Sequence, residues 1–165
     1  MSAPIHPSLA LLAGAAKQRN WAGLAKQLGF ALRNPAWLRP EHRVGDPTGY
    51  MRHLIYVDPH GDFVVTAITW LPGQQSALHG HRVWCAFGVA EGELTEEQFT
   101  PELQPLKSTV YRPGDVADRD LEGRIVHRVA NRGDKPLVSL HLYGVSADKL
   151  TTGINRYFPA SRAAA

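Results

Sequence analysis

The chain has 165 residues, 44% hydrophobic and 20% charged, the size and composition of one ordinary globular domain rather than a disordered or membrane-embedded chain. Its formal net charge of +3 is spread over scattered Lys and Arg with no basic run, which argues against nucleic-acid binding. A single cysteine forbids an intrachain disulfide, and no apolar stretch approaches a membrane span or follows a basic leader, so a cytoplasmic protein is expected.

Two helical patterns come first. Ser8 is a candidate N-cap for a helix over 9–19. Trp21, Leu24, Ala25, Leu28 and Leu32 then share one face of a second helix, which Asn34-Pro35 should end because the residue before proline avoids the α region. From about Gly49 the texture changes to short strand-like runs separated by Gly, Pro, Asp and Asn. Strands are expected over 50–57, 63–70, 77–81, 83–90, 93–99, 108–111, 115–117, 124–130, 137–143 and 155–158, with a frayed tail over 160–165. This predicts a helical segment, 1–45, packed on a β domain, 46–165, within one structural unit.

Gly73, His79, His81 and Gly92 have the spacing Gly-x5-His-x-His-x10-Gly. Two His flanking one residue on a strand point to the same side, so one ion can bridge them. His127, heading His127-Arg-Val-Ala-Asn131, supplies a third imidazole. These segments resemble the two signatures of a metal-binding cupin barrel, with Cys85 where the first signature has glutamate. Such a site holds three neutral imidazoles and no carboxylate, so a divalent metal there should keep its full +2 charge and favour an anionic substrate group. The remaining His6, His42, His53 and His60 are expected to be solvated.

The run Leu137-Val-Ser-Leu-His-Leu-Tyr143 alternates, placing Ser139, His141 and Tyr143 on one face and Val138, Leu140 and Leu142 on the other. A polar row opposite an apolar one suits a strand between core and cavity. Its hydroxyl, imidazole and phenol can relay hydrogen bonds.

Together with Tyr50-Met-Arg52, Trp70-Leu-Pro-Gly73, Trp84-Cys85 and Glu91-Gly-Glu-Leu94, these segments resemble the cysteine dioxygenase family over roughly residues 48–145. The resemblance implies a mainly β cupin (double-stranded β-helix, jelly-roll) barrel with ferrous iron, Fe2+, on His79, His81 and His127. It implies oxidation of L-cysteine by O2 to cysteine sulfinic acid, with both oxygen atoms incorporated. Arg52 falls where cysteine-specific members bind the substrate carboxylate, with Tyr50 beside it. Tyr143, His141 and Ser139 match the family's catalytic row, and Cys85 aligns with a cysteine that in animal members forms a thioether with the matching tyrosine. Gly80 departs from the usual aspartate between the paired His. Two other readings stay open: a dioxygenase of another small thiol acid, such as 3-mercaptopropionate or mercaptosuccinate, and a non-catalytic cupin that binds a small ligand. The polar row at 139, 141 and 143 separates the last from an enzyme.

Overall fold

In the computed structural model, which describes residues 5–117, 120 and 124–159, two helices precede nine strands. The first helix, α1 (Pro7–Lys17), starts two residues earlier than expected and is capped by His6, whose Nδ1 accepts from the Ser8 amide at 3.2 Å. Pro7 explains the shift, since its fixed φ suits the first helical position. The helix also ends early, with Arg19 at φ 51, in the left-handed region that cannot continue a right-handed helix. The second helix, α2 (Trp21–Arg33), ends as expected, with the Asn34 side chain donating to the Phe30 carbonyl. Its Leu24, Leu28 and Leu32 are fully buried, each contributing about 2 kcal/mol by leaving water. No helix among the described residues is long and apolar enough to cross a membrane.

The strands are β1 (Met51–Val57), β2 (Val64–Trp70), β3 (His79–His81), β4 (Cys85–Glu91), β5 (Leu94–Phe99), β6 (Pro105–Tyr111), β7 (Val126–Ala130), β8 (Leu137–Tyr143) and β9 (Asn155–Tyr157). They form two antiparallel sheets, ordered β1-β2-β8-β4 and β6-β5-β7-β3-β9. The architecture is mainly β, as expected. β6 begins at Pro105 rather than 108, a residue that can open an edge strand because no ladder N–H is needed there.

The expected strand over 115–117 is absent. That segment instead runs along β4 through isolated bridges, with Ala117 donating to the Phe87 carbonyl and Val89 to that of Asp115. The approach depends on Gly88, where a Cβ would collide with the Asp115 carbonyl and Leu32. Gly92, the last glycine of the signature, turns β4 into β5 at φ 77, a conformation costly for a residue with a Cβ. The expected tail at 160–165 lies outside the described residues.

The four-stranded sheet has two apolar faces. Val65, Ala67, Val138, Leu140 and Leu142 pack in one cluster with the helices, whereas Ile68, Trp70, Phe87 and Val89 pack with Leu94, Tyr111 and Val129 of the opposing sheet. The site lies on this second, inner side. His42, expected to be solvated, is buried at 4% exposure. Its Nδ1 accepts from the Arg39 amide and its carbonyl accepts from Thr69 Oγ1, which tie it against β2.

Candidate metal centre

Register brings the three expected ligands together. His79 on β3 is directly opposite His127 on β7, and His81 is two residues along the same strand. All three are buried, and their candidate ligand atoms lie within 4.8 Å of one another. Each ring is turned by a bond to its Nδ1: His79 to the Ala77 carbonyl at 2.8 Å, His81 to Asp120 at 3.2 Å, and His127 to Glu96 at 2.6 Å. Those partners are acceptors, so each neutral imidazole carries its proton on Nδ1 and leaves Nε2 bare.

The consequence is visible between His79 and His127, whose Nε2 atoms are 3.1 Å apart. Two bare lone pairs at that distance repel, and the arrangement calls for a shared electrophile, a proton or a metal ion. A third converging imidazole suits a metal and is of no use to a proton. Burial, reinforced by the neighbouring imidazoles, lowers the His79 pKa to about 3; burial lowers that of His81 as well. Both rings are therefore ready to ligate at neutral pH.

Glu96 and Asp120 correct the expected charge. Among the described residues no carboxylate joins the three rings, and Glu91 and Glu93 pair instead with Arg43 and Arg112 outside the barrel. Yet Glu96 and Asp120 sit one hydrogen bond behind two of the ligands. Burial alone would raise the pKa of both, but Glu96 is held below the usual range by His127, Tyr111 and Gln98, and Asp120 by His81. The pocket is thus backed by two anions, which would make the imidazoles better donors to a bound metal and offset its charge.

His141 and Tyr143 of the β8 row line the same pocket, with the buried Ser139 behind them. Ser139 Oγ is 2.8 Å from His141 Nε2, and His141 Nδ1 is 3.1 Å from the Tyr143 hydroxyl. Phe87 lies flat on His141, with centroids 5.0 Å apart and planes at 10°. Arg52, on β1, also lines the pocket, its guanidinium carbon 5.9 Å from the ring centres of both Tyr50 and Tyr143. Its Nε is buried without a partner, a donor position an incoming anion can fill. Cys85 is buried on the same wall. Together these residues line one small pocket.

The profile of the family described as cysteine dioxygenase type I matches residues 34–152. The chain belongs to that family. Two solved structures show the fold. A Klebsiella pneumoniae protein described as having a double-stranded beta-helix domain superposes with a TM-score of 0.56 at 21% identity, covering 72% of this chain and 92% of its own. TT1209 from Thermus thermophilus superposes with a TM-score of 0.54 at 18% identity, covering 64% of this chain and 91% of its own. The barrel is therefore of the double-stranded β-helix class. Family, fold and the three-His cluster together support a thiol dioxygenase-type metalloenzyme.

For this dioxygenase-family chain, several site residues lay beyond sequence reasoning. Trp70, Ser76 and Asn155 line the pocket, and Glu96 and Asp120 support the ligands. For Glu96 a signal existed, because it is in phase with the buried Leu94 at a period of two. Asp120 carried none.

Proposed function

We propose that this protein is an iron-dependent thiol dioxygenase that converts L-cysteine and O2 to cysteine sulfinic acid. The observation that carries the reading is the convergence of three kinds of group on one small pocket: a metal-ready His triad, a cation with an unpartnered buried N–H, and a phenol at the end of a hydrogen-bonded row. A ligand-binding barrel needs the first two; the row has work only where a bond is being made.

His79, His81 and His127 hold the metal. Fe2+ bound there would supply Lewis acidity toward a thiol and a site for dioxygen chemistry. Arg52 binds the substrate carboxylate, and its planar fork orients as well as holds. Ile68, Phe87 and Val129 make the pocket wall apolar, so few waters compete with the reacting sulfur. Burial raises the Tyr143 pKa far above its ordinary value, so the phenol stays protonated and acts as a hydrogen-bond donor at the reacting centre.

Oxygen uptake by iron-loaded protein across cysteine, 3-mercaptopropionate, mercaptosuccinate and cysteamine tests the reading. It predicts the highest kcat/KM for cysteine. Preference for another thiol acid would transfer the same chemistry to that substrate, and no uptake with any of them would return the site to ligand binding.

A further inference from the structure

Every link in the row Ser139, His141, Tyr143 is reversible on its own, because hydroxyls and a neutral imidazole can each donate or accept. One donor outside the row breaks the symmetry. Trp70 is buried on β2, and its indole Nε1–H lies 2.9 Å from Ser139 Oγ. An indole nitrogen only donates, so Ser139 Oγ accepts there and has one proton of its own to place.

Two acceptors compete for it. His141 Nε2 is at 2.8 Å and the Ile68 carbonyl at 3.5 Å, and the shorter contact wins because hydroxyl bonds are strong only below about 3 Å. With Nε2 accepting, His141, which complete burial keeps neutral, carries its proton on Nδ1. That proton is donated to the Tyr143 oxygen at 3.1 Å. Arg52, also a donor only, stands beside the same side chain, its guanidinium carbon 5.9 Å from the Tyr143 ring centre. Tyr143 therefore accepts from behind, and its own O–H is left to point into the pocket.

We propose that Trp70 is a positioning residue that fixes the direction of hydrogen bonding along Ser139, His141 and Tyr143 and so aims the Tyr143 proton at the reacting centre. The indole is itself held. Tyr50 lies against it with ring centroids 4.4 Å apart, and the Asn131 side chain donates to the Trp70 carbonyl at 2.9 Å. Asn131 of the second signature thus serves the row on β8 through Trp70.

The inference rests on the proposed role of Tyr143, but its test does not depend on turnover. In full-length protein loaded with zinc as a diamagnetic ion and labelled with 15N-histidine, NMR reads which nitrogen of His141 bears the proton. Wild-type protein should show Nδ1–H. Trp70→Phe, which keeps an aromatic ring and removes the N–H, should populate the Nε2–H form. The iron-loaded variant should lose about tenfold in kcat, with KM for the thiol within about twofold. An Nε2–H form in the wild type would overturn the proposal even if the variant fails to fold, and so would an unchanged Nδ1–H form in Trp70→Phe. A Trp70-dependent tautomer in a protein that consumes no oxygen would instead sink the proposed function and leave this inference standing.

Discussion

Cys85 on β4 and Tyr143 on β8 face each other as a non-hydrogen-bonded antiparallel pair. Both backbone groups of Cys85 turn away from β8 to exchange bonds with Asp120, at 2.9 and 3.1 Å, while Trp84 and Gly144 bond across the strands beside it. In such pairs the Cα atoms are about 4.5 Å apart and the side chains approach most closely.

The pairing makes a thioether between them testable. Burial, with the nearby Asp120 and Glu96 carboxylates, pushes the Cys85 thiol well above its ordinary pKa, so spontaneous oxidation should be slow. Aerobic turnover with iron and thiol should lower the intact mass by about two daltons as S–H and ring C–H give way to C–S and dioxygen takes the hydrogens. Cys85→Ala should show no such change. An unchanged wild-type mass after turnover would make the contact simple packing.

Removing any one ligand, as in His79→Ala, His81→Ala or His127→Ala, should abolish tight metal binding. Glu96→Ala should weaken it by roughly 10–100-fold, because His127 loses the anion that orients it. Chelator competition measures both, and wild-type affinity in Glu96→Ala would remove the carboxylate from the account.

Arg52→Ala should raise KM strongly for thiols bearing a carboxylate and weakly for cysteamine, which has none. A buried charge pair that loses one partner typically costs a few kcal/mol. Equal losses for the two kinds of thiol would contradict a carboxylate-binding role.

Acid should destabilise the metal-free protein. Burial lowers the folded-state pKa of His79 to about 3 and depresses those of His81, His141 and His42. Below the ordinary value of 6.5 the unfolded chain therefore binds protons that the folded chain refuses, and stability falls with pH. Between pH 6.5 and 5, as the unfolded imidazole fills with protons, His79 alone contributes about 1 kcal/mol per unit. Urea midpoints should drop over that window; a flat profile would show that these rings are not held neutral.

Much of the site was legible because β8 alternates without interruption and because His79, His81 and His127 lie on strands whose pleat sets the direction of each side chain. The supporting carboxylates were not. Asp120 and Glu96 are 39 and 31 residues from the ligands they hold, and Glu96 reaches His127 diagonally, since the residue directly opposite His127 is Gln98. Only the register of β5 against β7 reveals that contact. Trp70 is similarly opaque, an apolar residue in a strand until its N–H is seen against Ser139. His42 misled because charged neighbours in sequence suggested solvent, whereas the fold turns its ring under β1 and β2.

The most direct test of the central claim is turnover of cysteine by the iron-loaded protein under 18O2, with mass analysis of the product. The account predicts cysteine sulfinic acid carrying two 18O atoms, formed at a rate reduced at least tenfold in Tyr143→Phe with metal content unchanged, a barrier increase of about 1.4 kcal/mol. Cystine and peroxide as the only products, or full activity in Tyr143→Phe, would contradict it.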